Sequence, residues 1–192
     1  MPAERQSLRN VHFALLTSDT EDGVAYETPE KLIGAVAARI TPTSNTAQTY
    51  SDDGVSDVVN ALSQITVEID LDRLPLEARA KLCGHTYSAG QMVLKDDDEA
   101  PYVALGFMSQ VTAGEYRLHW LLKGKFSEIN EELNTATDTP AWRTNTLVGT
   151  FVRRDYDRQW QRIADTGAES STADVETWFT SVEPAAAAGA GD

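Results

Sequence analysis

The sequence predicts a mainly β domain with two short helices, and three observations carry that reading. Residues 63–72, SQITVEIDLD, put Ser63, Ile65, Val67, Ile69 and Leu71 on one parity and Gln64, Thr66, Glu68, Asp70 and Asp72 on the other. A period of two rich in β-branched residues marks a strand with one buried face. Residues 101–111 and 115–126, PYVALGFMSQV and EYRLHWLLKGKF, flank an Ala113-Gly114 turn as the arms of a hairpin. Helical signals occur in only two places, residues 75–84 and 171–182. With 192 residues and 41% hydrophobic content, the chain has material for one core, so residues 1–183 are read as one domain and residues 184–192 as a patternless, mobile tail.

In chain order, residues 10–17 (NVHFALLT) read as a first strand and residues 18–31 as a long polar connection broken by Gly23 and Pro29. Residues 32–43 form a second strand with Ile33, Val36, Ala38 and Ile40 as its apolar positions. Residues 42–57 (PTSNTAQTYSDDGVSD) are polar and longer than most connections inside a compact domain, and loops of that size are functional or disordered. The strand at 63–72 follows. Pro75 suits a first helical position and Gly84 a C′ position, giving a helix of about two turns between them. Residues 96–99 (DDDE) read as a solvated charge cluster. After the hairpin, residues 126–135 alternate Ile129, Glu131 and Leu133 with Glu128, Asn130 and Glu132, and residues 144–156 form another strand. Val175, Trp178, Phe179 and Val182, spaced i, i+3, i+4 and i+7 behind a Ser171-to-Asp174 capping spacing, predict a short amphipathic helix. No internal repeat is present.

Composition narrows the function classes. A formal net charge of −14 argues against a conventional nucleic-acid binder with a basic footprint, though not against work near DNA. No apolar run reaches the ~20 residues that span a bilayer, and the start MPAERQSLRN lacks a signal-peptide core, so a cytoplasm-like compartment and no membrane insertion are expected. Cys83 is the single cysteine, which excludes an intrachain disulfide and a Cys-rich metal site; it reads as a small buried apolar residue. His12, His85 and His119 show no metal-ligand spacing. The Asp runs lack the alternating ligand pattern of a calcium loop, leaving at most a weak site there. No nucleophile elbow or phosphate loop occurs, and no cofactor is expected. Glu68 and Asp70 have a workable separation for glycoside hydrolysis, but no aromatic residues interleave with them to split their pKa values. A carbohydrate-binding β-sandwich, using exposed Trp142 and Tyr50, is the alternative binding-module reading.

Taken as a series, residues 10–16 (NVHFALL), 74–87 (LPLEARAKLCGHTY), 100–107 (APYVALGF), 116–128 (YRLHWLLKGKFSE), 146–157 (TLVGTFVRRDYD) and 178–182 (WFTSV) resemble the major tail protein of long-tailed, non-contractile bacteriophages of the phi-thirteen type. The resemblance covers most of the chain. Departures are the alanine-rich tail and residues 141–146 (AWRTNT). The resemblance implies a β-sandwich or β-barrel subunit with a flanking helix, and a structural role without enzymatic activity. Hexameric rings of such subunits stack into a virion tail tube, assembled in the host cytoplasm. Implied partners are further copies of the chain, a tape measure protein in the lumen, and tail tip and tail terminator proteins; viral DNA passes through without specific binding. On this reading Glu68, Asp70, Asp72, Glu128 and Glu132 face an acidic lumen that DNA does not stick to. Residues 42–57, with Thr49, Tyr50, Asp52 and Asp53, become an inter-ring loop.

Overall fold

The structure is a computed structural model that describes residues 7–51, 54–112, 114–129, 145–168 and 171–183; of residues 46–51 and 54–61 only the backbone is described. Along it run β1 (Leu8–Thr20), β2 (Gly23–Tyr26), β3 (Glu30–Lys31), β4 (Ala35–Ser51), β5 (Gly54–Leu71), α1 (Leu76–Cys83), β6 (Thr86–Ser88), β7 (Gln91–Val93), β8 (Val103–Thr112), β9 (Glu115–Phe126), β10 (Asn145–Val152), β11 (Gln161–Asp165) and α2 (Val175–Trp178). Nine strands make one antiparallel sheet, ordered β2-β1-β8-β9-β10-β5-β4, with β3 added to β1 and β11 to β9; β6 and β7 form a separate hairpin. The flank of β9 opposite β8 is shared, residues 117–121 carrying β11 and residues 123–126 carrying β10.

The sheet is rolled. Val11 and Phe13 of β1 share a buried cluster with Ile65, Val67 and Ile69 of β5, although β8, β9 and β10 stand between them in the ladder. Strands that far apart meet only if the sheet curls around its apolar face. Closure is incomplete, because no ladder joins β4 to β1 or β2 among the described residues. A groove of about 380 Å³, lined by Leu8, Val36, Ile40 and Phe107 among others, lies along that seam. The mainly β fold with two short helices is as expected, and in place of the closed form of the β-sandwich or β-barrel that the resemblance implies the sheet is an open roll. A second cluster on the outer side of β8 and β9 contains Ala104, Met108, Leu118, Trp120 and Leu122 and is covered by Phe179 and Val182. This double burial explains the unbroken apolar run that begins β8. Gly106 is required there, since a Cβ would lie 2.7 Å from the Trp120 indole.

Local chemistry accounts for α1. Pro75 precedes its first residue, Glu77 and Lys81 suit the dipole at the two ends, and Gly84 at φ +82 closes it in the left-handed region. A Cβ on Gly84 would sit 2.1 Å from the Glu99 carbonyl oxygen, so both backbone conformation and space demand glycine. Leu82 fixes the helix to the core.

Several elements depart from the sequence reading. The polar connection at 18–31 contains β2 and β3, paired with β1. β4 starts at Ala35, after a turn whose Gly34 at φ +92 leaves no room for a Cβ beside the Arg73 carbonyl oxygen. Residues 42–57 are not an irregular loop, because β4 and β5 continue through them as an antiparallel ribbon with only Asp52 and Asp53 outside the described residues. The Thr and Val residues of this stretch favour extended backbone, which ladder pairing satisfies without an apolar face. β9 stops at Phe126, and residues 130–144, including Glu132 and Trp142, lie outside the described residues, as does the tail from 184. A further departure is β11, which the sequence reading did not anticipate. α2 is one turn, capped by Asp174, whose side chain accepts from the Glu176 and Thr177 N–H groups, rather than by Ser171.

Candidate functional site

The alternation at residues 63–72 holds in three dimensions. Ile65, Val67, Ile69 and Leu71 are all 0% exposed, which turns Glu68 and Asp70 to the outer face of the roll. Arg39 of β4 reaches Glu68 Oε2 at 2.5 Å, and the Thr146 hydroxyl of β10 donates to Asp70 Oδ1 at 2.7 Å. Asp72 is exposed just past the end of β5. This face is acidic but partnered, and it offers an acid–base pair no enclosing apolar wall. Glu128 lies past the end of β9, its carboxylate bonded by Arg79 of α1 and facing His85. Glu132 lies outside the described residues. Thr49 and Tyr50 lie on the ribbon, their backbones opposite Asp57 and Val55.

Among the described residues β4 is the edge of the sheet, with β5 as its one ladder neighbour. Two backbone bonds fix which of its groups face outward. Ser127 N–H donates to Val148 O at 2.9 Å and Asp72 N–H to Gly34 O at 2.8 Å. Propagated through the β10–β5 and β5–β4 registers, these set Ala37, Arg39 and Thr41 bonding to β5 and turn the backbone of Ala38, Ile40 and Pro42 to the open side. Pro42, which has no N–H to give, sits where none is needed inside the subunit. Beyond Ile65, β5 loses contact with β10, so residues 44–62 pair only as a two-stranded arm.

A titratable cluster joins α1 to the end of β9. His85 follows the Gly84 cap and its side chain is 5% exposed. His85 Nδ1 lies 2.7 Å from Asp98 Oδ2, which also accepts the Lys95 N–H at 3.0 Å. His85 Nε2 faces Glu128 Oε1, and Arg79 Nη2 donates to Glu128 Oε2 at 3.0 Å. Cys83 Sγ contacts the Ser127 carbonyl at 3.9 Å. One donor atom each from Cys83, His85 and Glu128 lies within 4.8 Å of the others. Burial pulls the imidazole pKa down, but hydrogen bonds and charge from Asp98 and Glu128 outweigh it and leave His85 above its usual value. Burial pushes the Cys83 thiol up to about 11. Asp98 is therefore not part of a merely solvated run. The sequence reading took each of these residues singly; only the Cys-x-His spacing was visible, and the carboxylates come from distant segments.

Two buried cations fasten the outer layer. Lys123 Nζ bonds Asp19 and Asp155, each at 2.7 Å. Arg154, 0% exposed, spends its guanidinium on Asp157, Glu183 and the Tyr26 hydroxyl. Arg162 Nη2 holds the other Glu183 oxygen at 2.8 Å, and Trp120 Nε1 donates to Trp178 O at 3.1 Å. The segment around α2 is thus clamped to the sheet by charge as well as by Phe179 and Val182.

No curated protein matches the chain in a sequence comparison. A family model described as phage tail tube protein matches residues 13–183. That span takes in the rolled sheet, the exposed edge, the arm and the clamped C-terminal segment, and the chain belongs to the phage tail tube protein family, as a structural component of the virion rather than an enzyme.

Proposed function

We propose that copies of this chain join through the β4 edge into hexameric rings, and that stacked rings form a tube whose lumen conducts viral DNA. The observation that supports it is the long β4 edge strand at the seam of an unclosed roll, with the backbone groups of Ala38 and Ile40 turned outward. An edge of this kind is a template for a strand from another chain. Glu68, Asp70 and Asp72 then line the lumen, with Glu132 assigned there on the sequence resemblance. A negative wall avoids the counterion release that would hold phosphates on a cationic one, and screening over about 8 Å limits repulsion to close approach. Glu128, whose carboxylate also bonds Arg79 and His85 and whose side chain is 48% exposed, is assigned to the same wall on the sequence reading. The arm at residues 42–57, including Thr49, Tyr50, Asp52 and Asp53, reaches the next ring. The tape measure protein occupies the lumen during assembly, and tip and terminator proteins close the two ends. Assignment to long-tailed, non-contractile phages of the phi-thirteen type rests on the sequence resemblance.

The test is Ala38→Pro. This change removes an outward N–H and no bond to β5, so the subunit should keep its circular dichroism spectrum while rings and tubes disappear from electron micrographs of concentrated protein. Tubes as abundant as those of the parent chain would remove β4 from the joint.

A further inference from the structure

We propose that Cys83, His85 and Glu128 form a binding site for one divalent transition-metal ion, with zinc the ion their donor set fits. The three offer a thiolate sulfur, an imidazole nitrogen and a carboxylate oxygen. Zinc accepts that mixture, whereas the hard cations magnesium and calcium take oxygen donors. Zinc–ligand bonds of about 2.0–2.3 Å put tetrahedral donors roughly 3.3–3.7 Å apart. The donors here already lie within 4.8 Å of one another. Glu128, with a side chain 48% exposed, stands at the open side of the cluster, while Cys83 and His85 are held by the end of α1 and its Gly84 cap.

The surroundings strengthen the assignment. Asp98 on His85 Nδ1 leaves Nε2 as the donor toward the site, the arrangement by which a carboxylate orients a zinc-bound histidine. Asp98 is itself fixed by the Lys95 N–H. Arg79 takes Glu128 Oε2 and leaves Oε1 facing inward. Ion pairing explains the histidine and the acids without a metal, but it leaves the sulfur with weak partners, a hydrogen bond with the Glu128 carboxylate and the long contact to Ser127 O. A metal uses all three donors, releasing the thiol proton to solvent as the thiolate binds. The fourth position lies on the exposed side of Glu128, open to water or to a donor from a second copy. The ion would staple the end of α1 to the strand end of β9, adding to the Arg79–Glu128 and His85–Glu128 contacts already between them.

The experiment titrates Co²⁺, a spectroscopic stand-in for zinc, into the chelator-treated full chain with excess Mg²⁺ present to occupy plain carboxylates. The expected result is one Co²⁺ per chain with a thiolate-to-cobalt charge-transfer band and the intense visible bands of four-coordinate cobalt, both removed by added zinc. Cys83→Ser should abolish the charge-transfer band, and Asp98→Asn should weaken binding about 10–100-fold. If Cys83→Ser does not fold, His85→Gln serves the same comparison, with loss of one-to-one binding expected. Cobalt bound without the charge-transfer band, bound equally by Cys83→Ser or His85→Gln, or unaffected by Asp98→Asn would overturn the site.

Discussion

Replacing Arg154 with Met should remove the charge that holds the C-terminal segment while roughly preserving side-chain volume. The guanidinium is 0% exposed and binds two carboxylates and a phenol, so the substitution leaves Asp157, Glu183 and Tyr26 facing an apolar side chain. Breaking a buried pair from one side costs about 3–5 kcal/mol. The lower end applies here, because the side chains of Asp157 and Glu183 are 19% and 31% exposed and can recover some hydration. For a chain of 192 residues, about 3 kcal/mol corresponds to a fall of roughly 6–12 °C in Tm. Thermal and urea unfolding followed by tryptophan fluorescence measure it, since Trp120 and Trp178 lie under this clamp. Adding Asp157→Asn to Arg154→Met should give back part of the loss by removing one stranded charge while the amide oxygen still accepts the Gln159 N–H. A Tm within about 1 °C of the parent, equivalent to less than ~0.5 kcal/mol, would refute the clamp.

Three other outcomes are expected. At Asp157 burial raises the pKa, but hydrogen bonds from Arg154 and the Gln159 N–H, with charge from Arg154 and Arg162, outweigh it and depress the carboxyl. Its stabilisation is complete above the unfolded value of about 3.9 and is lost as pH falls through the lower folded value; urea midpoints should therefore drop in that acid window, less steeply for Arg154→Met, and equal slopes would contradict it. Amide exchange over residues 44–62 should be fast in the free subunit, where the arm pairs only with itself, and slow in tubes; equal protection in both would remove the inter-ring role. Virions carrying Glu68→Lys with Asp70→Lys should assemble but eject DNA more slowly, with partial relief at higher salt, and normal ejection at low salt would show that these side chains do not meet DNA.

What was legible in the sequence was local. The β5 parity survives because alternating Ile and Val against Glu and Asp admits one strand orientation, and α1 because Pro75 and Gly84 punctuate it within a few residues. β11 escaped notice because five residues, none fully buried, carry too little apolar contrast. The arm resembled a loop because residues 42–57 are polar and show no alternation of apolar positions, and a two-stranded ribbon needs none to pair its backbone. The Cys83–His85–Glu128 cluster and the Arg154–Tyr26 bond, 128 residues apart in the chain, depend on how the sheet rolls. Strand pairing at that range leaves no periodic trace in sequence.

Pro42 has a further consequence for any strand that adds to β4. An exposed edge of uniform donors and acceptors would let an incoming strand settle in several registers, two residues apart, at nearly equal free energy. The pyrrolidine ring interrupts the outward ladder one step after Ile40. A strand sliding across it loses a hydrogen bond and meets the ring, so the alignments on the two sides of position 42 are no longer equivalent. The same interruption shortens the stretch open to indiscriminate growth by unrelated edges or unfolded chains. One imino acid thus makes the edge both selective in alignment and resistant to aggregation.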